Sequence, residues 1–227
     1  MPQTQMPALR DVLQWEVRTW SRALPLWARD LPAQRPLKAL AVGEREGGLA
    51  LWLAAQGVDV TCTDLNPFPA AMRALHERYK LSERITYAQA DVTALEFPSG
   101  TFDVVVFKSV IGALGSKERQ AVAIKETQRV LRPGGVLLFA ENLSGSSLHG
   151  YLRKRFVRWA TYWRYLCWPE DADLFSSFSR VEVARTGLLA PFGRSEWQRD
   201  LLARLDRLLE LVTPAAWRTV LYGVCTK

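Results

Sequence analysis

The segment that decides the fold is Leu37-Lys38-Ala39-Leu40-Ala41-Val42-Gly43-Glu44-Arg45-Glu46-Gly47-Gly48. It is an apolar run that reaches Gly43 and then passes through a glycine-containing loop into a helical pattern at Leu49, Trp52 and Leu53. A second apolar run, over residues 58–63, ends at Asp64. A strand, a glycine loop, a helix, a strand and an acid in this order are typical of a nucleoside-binding site at the open end of a parallel sheet.

Length and composition limit the classes of protein that the chain can form. Its 227 residues accommodate one α/β domain with a full core and little more. Every apolar run is shorter than the ~20 residues of a membrane span, and residues 1–5 lack the features of a signal peptide. We therefore expect a single domain over residues 1–227, located in the cytoplasm, with peripheral attachment to a membrane as an open alternative.

The cysteines, histidines and charge narrow the chemistry. Cys62, Cys167 and Cys225 are far apart in apolar surroundings, which predicts buried thiols rather than disulfides or a zinc site. With only His76, predicted to lie on the surface, and His149, we expect no bound metal. The formal charge of +7 favours an anionic partner, although arginines on solvated surfaces would produce the same charge.

Strands and helices alternate through most of the chain, which predicts a doubly wound, mostly parallel sheet. The predicted strands are 37–42, 58–63, 85–91, 102–107 and 136–141, with helices near 47–56 and 116–131. Two late strands, 181–185 and 219–226, are joined by an amphipathic helix at 194–211 and fit an antiparallel edge. We divide the domain into an N-terminal helical cover (1–35), a cofactor-binding core (36–142), acceptor-side helices (143–180) and a C-terminal strand-helix-strand unit (181–227).

Four pieces of this sequence together resemble the class I S-adenosylmethionine-dependent methyltransferases. They are the loop Val42–Gly48, Asp64, the acid of Ala90-Asp91-Val92, and Arg129-Val130-Leu131-Arg132-Pro133-Gly134-Gly135. The resemblance covers roughly residues 37–142 and implies a Rossmann-like seven-stranded sheet with S-adenosylmethionine as cofactor. Phe107–Gly112, Ala140–Leu143 and Phe192–Arg194 are further similar to a subgroup of bacterial methyltransferases, some of which are associated with surface-polysaccharide or lipid-linked glycan pathways.

The resemblance implies a role for each residue of the cofactor site. The backbone at Gly43 and Gly47 would approach the cofactor closely, although two glycines can equally form a tight turn with no ligand. Asp64 would accept hydrogen bonds from the ribose hydroxyls, and Leu65 would lie against the adenine. Asp91 would bind the adenine amino group beside the backbone of Val92, or would cap the following turn.

The glycine loop departs from the family pattern at two positions. Ala41 stands where the family has an acid, and Arg45 stands where it has a glycine. We expect Glu44 or Glu46 to replace the missing acid. Arg45 could bind the cofactor's carboxylate, or these charges could simply face solvent.

Lys108, Glu141 and His149 are the candidate catalytic residues. The first two end predicted neighbouring strands, and His149 begins the segment where acceptors bind in this family. A base is needed only when the acceptor must lose a proton. Lys108 and Glu141 could instead form an ion pair, and a lone histidine is more often structural.

A basic and aromatic segment over 147–168 is predicted to be a helix on the acceptor side. It contains no acid, and it carries the cations Arg153, Lys154, Arg155 and Arg158 and the aromatic residues Trp159, Trp163 and Trp168. Such a helix can lie at an anionic membrane surface, stack on bases or bind a phosphate-bearing glycan. The alternative is a lid that packs on the core by its aromatic side chains.

The function that these features favour is methyl transfer, at an oxygen, to a small-molecule, glycan or lipid-linked acceptor. An RNA methyltransferase ranks second, because Phe107-Lys108-Ser109 stands where many base-amino methyltransferases carry Asn/Asp-Pro-Pro-aromatic. A non-catalytic scaffold or sensor that binds the cofactor is the third alternative. A nicotinamide dehydrogenase is weaker, since the loop is not G-x-G-x-x-G.

Overall fold

A seven-stranded sheet forms the centre of the computed structural model, which describes residues 6–34, 36–157 and 161–227. The strands are β1 (Lys38–Val42), β2 (Asp59–Asp64), β3 (Ile85–Gln89), β4 (Phe102–Lys108), β5 (Leu131–Asn142), β6 (Arg180–Thr186) and β7 (Val220–Thr226). Their order across the sheet is β3-β2-β1-β4-β5-β7-β6, and β7 runs antiparallel to both of its neighbours. The predicted doubly wound α/β fold with an antiparallel edge is therefore confirmed.

Helices cover both faces of the sheet because the central strands are apolar on both sides. All seven residues of β4 are buried. Val104 and Val106 pack on one face with the N-terminal residues, and Val105 and Phe107 pack on the other, as the two-residue period of a strand requires. The longer helices are α4 (Gly48–Ala55), α5 (Ala70–Arg78), α6 (Lys117–Val130), α7 (Ser147–Phe156) and α8 (Glu196–Leu209).

The N-terminal cover consists of three short helices, α1 (Leu9–Leu13), α2 (Val17–Trp20) and α3 (Leu24–Asp30). The apolar spacing of Val12, Leu13, Val17 and Trp20 alone predicts a single helix over residues 8–20, and that prediction is wrong. Gln14 and Glu16 adopt positive φ angles of 68° and 49°, which interrupt the helix. The cover packs closely on the start of α4, since a Cβ at Gly48 would lie 2.1 Å from the carbonyl oxygen of Val12.

The predicted helix over 147–168 is wrong beyond Phe156. Helix α7 ends where Val157 adopts an extended conformation, and Arg158 and Trp159 lie outside the described residues. Residues 161–168 form an irregular segment in which Leu166 bridges to Leu143, beside the end of β5. Trp163 packs directly on Gly112, where a Cβ would lie 2.0 Å from the indole nitrogen.

Two further observations concern cysteines and membrane spans. Cys62 and Cys225 are buried as predicted, but Cys167 is exposed because it lies in the irregular segment and not in a helix packed on the core. Within residues 6–34, 36–157 and 161–227, no helix has both the length and the apolarity needed to cross a bilayer.

Candidate functional site

The predicted cofactor residues meet at the carboxyl edge of three neighbouring strands. Gly43, Asp64 and Asp91 follow or end β1, β2 and β3, which pair in parallel. The N–H of Glu44 donates to the carbonyl of Thr63 at 3.0 Å, and the N–H of Ala90 donates to the carbonyl of Asp64 at 3.0 Å. The topology therefore brings together residues that are separated by about twenty to fifty positions in sequence, as the nucleoside-binding pattern requires.

A cavity of about 340 Å³ opens beside these strand ends. Arg45 and Asp64 line it, together with Glu46, Asn66, Pro67, Phe68 and Pro69. Asp64 is buried, and its Oδ1 accepts hydrogen bonds from the backbone N–H and the side-chain Nδ2 of Asn66, at 2.8 and 3.2 Å. Leu65 exposes 59% of its side chain next to this acid. A fixed carboxylate beside an uncovered apolar side chain fits a ribose and its attached base.

The two glycines of the loop are required by the protein's own packing. Gly43 and Gly47 have φ angles of +68° and +75°, which favour glycine. A Cβ at Gly43 would lie 2.5 Å from Val110, and one at Gly47 would lie 2.5 Å from Nε2 of His76. Neighbouring side chains thus account for both glycines, in agreement with the tight-turn alternative, and the close approach of the loop to a cofactor stays a prediction.

His76 lies behind the glycine loop and is buried, so its predicted surface location is wrong. Its Nε2 is 2.9 Å from the carbonyl oxygen of Gly47, and its Nδ1 is 2.7 Å from the hydroxyl of Tyr87. Burial lowers the pKa of His76, which favours the neutral ring, and a neutral ring can donate to the carbonyl and accept from the tyrosine hydroxyl. The loop is therefore supported from below by a neutral imidazole.

Glu44 organises the loop from within. Its buried carboxylate accepts hydrogen bonds from the backbone N–H groups of Leu49 and Ala50, both at 3.0 Å, in the first turn of α4. Burial raises its pKa to about 7. Glu44 thus orders the loop in the absence of an acid at position 41, while Arg45 is exposed and lines the cavity.

Asp91 caps a turn, which is the second of the two roles considered for it. Its Oδ1 accepts hydrogen bonds from the backbone N–H and the hydroxyl of Thr93, at 2.8 and 2.7 Å. These bonds lower the pKa of Asp91 and keep it ionised. Val92 is buried beside it. A turn cap does not exclude a ligand contact, so the cofactor role of this pair remains a prediction.

Lys108 is a buried cation without a hydrogen-bond partner among the described residues. It ends β4 directly after Phe107, which is in register with Val42, so it lies beside Gly43. Its Nζ is 3.0 Å from the centroid of the Trp15 ring. Burial lowers the pKa of Lys108 to about 7, although nearby carboxylates act in the opposite direction. The amine therefore changes its charge near neutral pH.

Glu16 is a functional candidate that the sequence reasoning missed. It is buried, its Oε1 has no hydrogen-bond partner within the described ranges, and Lys108 is among the charges that act on it. Burial raises its pKa to about 7. The signal available in the sequence was an acid between two tryptophans, Trp15 and Trp20, in a segment predicted to bury one face.

Glu141 has its oxygens occupied by backbone groups. Its Oε2 accepts from the N–H groups of Val110, Ile111 and Gly112, at 2.9, 2.9 and 3.4 Å, and its Oε1 accepts from the N–H of Asn142 at 2.9 Å. The described residues contain no ion pair between Glu141 and Lys108. Glu141 therefore holds the chain that follows β4, directly behind the lysine.

His149 has both ring nitrogens in contact with other protein groups. Nδ1 is 2.7 Å from the hydroxyl of Ser146, and Nε2 is 2.7 Å from the carbonyl oxygen of Leu188. The ring also stacks on Phe192 at 5.1 Å, and burial lowers its pKa. These contacts make it part of the cap of α7, and its role as a base remains an untested prediction.

Arg153 does not belong to an exposed cluster of cations, contrary to the prediction from sequence. It is buried, and it donates hydrogen bonds to the carbonyl oxygens of Leu143 and Ser144 at 2.6 and 2.9 Å. Its guanidinium also lies 4.1 Å from the centre of the Tyr165 ring. Arg153 thus ties α7 to the end of β5, and among the described cations of the predicted cluster only Lys154 and Arg155 are exposed.

Comparison with known proteins gives a consistent result. Residues 40–139 match the model of a methyltransferase domain. A malonyl-[acyl-carrier protein] O-methyltransferase of Enterobacter lignolyticus is 32% identical over 162 residues, which are 71% of this chain and 58% of that protein. A ubiquinone/menaquinone biosynthesis C-methyltransferase of Cereibacter sphaeroides is 28% identical over 55% of this chain and 48% of its own length. The chain thus spans about half the length of these relatives.

A solved structure supports the fold. Phosphoethanolamine N-methyltransferase 2 of Haemonchus contortus, in complex with S-adenosyl-L-methionine, superposes with a TM-score of 0.66 at 19% identity. The match covers 92% of this chain and 52% of that protein. The two proteins therefore share their fold.

Proposed function

Since the chain belongs to the class I S-adenosylmethionine-dependent methyltransferases, we propose that it methylates an oxygen of a small-molecule, glycan or lipid-linked acceptor, with Lys108 in contact with that oxygen. The cofactor supplies an electrophilic methyl group on sulfur. Asp64, Leu65 and Arg45 would bind its ribose, base and carboxylate. The protein's remaining task is to position the acceptor and, for a hydroxyl, to remove its proton.

The observation that carries this proposal is the unpaired Nζ of Lys108 at the end of β4. A buried ammonium without a hydrogen bond is costly, and a protein that needed only stability would place an apolar side chain there. With a pKa of about 7, part of the lysine is a neutral amine at neutral pH. That amine can accept the proton of an acceptor hydroxyl, and the ammonium can hold an acceptor that is already anionic.

The surroundings of Lys108 support an acceptor site at this place. The indole N–H groups of Trp20 and Trp163 are buried without hydrogen-bond partners in the described residues, as is Oε1 of Glu16. The centroid of the Trp20 ring lies 5.1 Å from the lysine Nζ. Trp163 packs on Gly112, whose N–H donates to Glu141. Polar atoms that lack partners inside a protein are often satisfied by a ligand or by water. The relative that methylates a carrier-bound malonyl group acts at oxygen, in agreement with this choice of atom.

Transfer of a labelled methyl group tests the proposal. The purified chain is incubated with methyl-tritiated S-adenosylmethionine and with separate small-molecule, lipid, glycan and RNA fractions of a cell extract. We expect label in one of the first three fractions. Lability of the product to alkali separates methyl esters from ethers and amines. Label in RNA would overturn the proposed acceptor, and cofactor binding without transfer to any fraction would favour a scaffold.

Two lysine variants make the test specific. Lys108→Met should lower turnover by about 10²-fold or more, with the affinity for S-adenosylhomocysteine largely retained. Lys154→Met, which removes an exposed lysine from α7, is the matched control and should have normal turnover. If Lys108→Met keeps normal turnover, the role of Lys108 is refuted even where the chain proves to be a methyltransferase.

A further inference from the structure

Helix α8 presents an apolar face to solvent. Trp197, Leu201, Leu205 and Leu208 recur at helical spacing, and they are 71%, 46%, 45% and 67% exposed. The same side continues beyond the helix in Leu211 and Val212, which are 82% and 80% exposed. A contiguous apolar surface of this kind is uncommon on a monomeric protein that has no partner.

The opposite side of α8 is fixed to the domain by its acids. Asp206 accepts hydrogen bonds from the backbone N–H groups of Leu188 and Leu189, at 2.9 and 2.8 Å. Glu210, directly after the helix, accepts from the N–H of Gly187 at 2.7 Å and pairs with Arg22 at 2.6 Å. The fold is thus held through the inner side, and it does not require the apolar residues of the outer side.

The charges on the outward side are mainly positive. Arg204 and Arg207 are exposed on the helix, and Arg194 is exposed just before it. The acids Glu196, Asp206 and Glu210 are hydrogen-bonded or ion-paired to residues outside the helix, on its inner side. Asp200 forms ion pairs with both Arg18 and Arg204. A helix with an apolar strip and cations beside it is complementary to a surface that is apolar inside and anionic outside.

We propose that this face of α8, from Trp197 to Val212, docks on an anionic lipid bilayer. The helix would lie in the plane of the interface, with its leucines among the acyl chains and its arginines at the lipid phosphates. Trp197 suits the boundary between them. A second copy of the chain is a poorer occupant, because a symmetric contact would bring the same arginines together.

The position of α8 connects this face with the acceptor side of the domain. Glu196, its first residue, accepts hydrogen bonds from the N–H groups of Glu16 and Val17, at 3.0 and 2.8 Å. The segment that carries Trp15, Glu16 and Trp20 against Lys108 is therefore anchored on α8. Docking through α8 would place that segment near the lipid, where a membrane-borne acceptor is found.

Vesicle flotation tests the proposal without cofactor or acceptor, so its outcome is independent of the proposed function. The purified chain is mixed with vesicles of phosphatidylcholine alone, or with vesicles in which part of it is replaced by phosphatidylglycerol. We expect stronger binding to the second kind. The double variant Leu201→Ser, Leu208→Ser should reduce that binding at least tenfold, since each leucine leaves apolar surroundings. Arg204→Glu with Arg207→Glu should reduce it about fivefold or more per cation.

Matched controls separate α8 from the rest of the surface. Val122→Ser changes an exposed apolar residue on α6, and Lys154→Glu with Arg155→Glu changes the exposed cations of α7; both variants should bind almost as the unmodified chain does. Because Leu201 and Leu208 are exposed, the serine variant should keep its fold, which circular dichroism checks. The proposal is overturned if the unmodified chain binds neither kind of vesicle, or if the serine variant binds undiminished. It is also overturned if sedimentation shows a dimer that the serine variant abolishes.

Discussion

Replacement of Lys108 by methionine should make the protein more stable. Burial lowers the pKa of this lysine from its ordinary 10.5 to about 7. Each factor of ten in a proton dissociation constant is worth about 1.4 kcal/mol, so the buried cation costs up to about 5 kcal/mol of folding free energy. The methionine variant loses the cation–π contact between the lysine Nζ and the Trp15 ring, whose centroid is 3.0 Å away. Such a contact contributes about 0.5–2 kcal/mol, which reduces the gain. We therefore expect a net gain of up to about 3–4.5 kcal/mol.

The gain should depend on pH in a defined direction. The unfolded lysine keeps its proton up to 10.5, whereas the folded lysine loses it near 7. Between these values the unfolded state binds more protons, so the stability of the unmodified protein rises with pH. The advantage of Lys108→Met is thus largest at or below about pH 7 and shrinks as the pH approaches 10. For a protein of 150–250 residues, 1 kcal/mol shifts Tm by about 2–4 °C, so the full gain corresponds to a rise of up to about 6–18 °C in Tm.

Urea denaturation of both proteins at about pH 6, 7.5 and 9 measures the effect. At about pH 6 the carboxyl groups of Glu16 and Glu44, whose pKa values are both raised to about 7, are mostly protonated. Removal of the nearby lysine charge therefore costs them little electrostatic energy at that pH. Lys154→Met is the control and should stay within about 0.5 kcal/mol of the unmodified protein, as exposed substitutions do. If Lys108→Met is less stable than the unmodified protein at the lowest pH, the ammonium is well accommodated and our account of it is wrong.

Further predictions concern the cofactor site, the glycine loop, the pH profile and His149. Asp64→Ala should weaken binding of S-adenosylhomocysteine by about 10²- to 10⁴-fold, measured by calorimetry, because it removes the acceptor of two ribose hydrogen bonds, and hydrogen bonds to a charged acceptor are worth about 1.5–3 kcal/mol each; unchanged affinity would remove Asp64 from the site. Gly47→Ala should lower the urea midpoint, since its φ of +75° and the His76 ring 2.5 Å from the new Cβ both oppose a side chain. Turnover on a hydroxyl acceptor should rise as the pH increases through about 7, and a profile that is flat there would contradict proton removal by Lys108. His149→Gln should cost about 1–3 kcal/mol of stability, because it disturbs contacts to Ser146 and Leu188, and should change turnover little; a loss of about 10²-fold in turnover with an unchanged fold would restore His149 as the base.

The sheet and its cofactor edge could be predicted because they depend on local patterns. Each strand is a short apolar run, and the order of loop, Asp64 and Asp91 fixes which strand ends meet once the sheet is parallel. The role of Glu44 was also foreseen as one of two possibilities, since a charged residue in a loop that lacks its usual acid has few other uses. These features need little knowledge of tertiary contacts.

The acceptor side could not be predicted because its side chains take their roles from distant partners. Arg153 stands in a basic run that predicts an exposed face, yet it is buried because its guanidinium donates hydrogen bonds to the carbonyl oxygens of Leu143 and Ser144. Similarly, Glu16 points inward only because positive φ angles break the N-terminal helix at Gln14 and at Glu16 itself. Periodicity describes which face of a regular helix is buried, and it fails where the helix is interrupted.

Glu44, Glu16 and Lys108 are buried ionisable groups near the loop, and the reasons for their burial differ. Glu44 has a structural explanation, because two N–H groups of α4 need an acceptor. Glu16 and Lys108 have no such explanation, since each retains a buried polar atom without a hydrogen bond among the described residues. Both lie on the side of the sheet edge that the N-terminal cover closes, and the cover is fixed in place by Glu196 of α8. A group that is costly to bury and makes no contact that the fold needs is best explained by function. Lys108 and Glu16 are such groups and support the proposed acceptor site, whereas Glu141 and His149 are already satisfied by other protein groups.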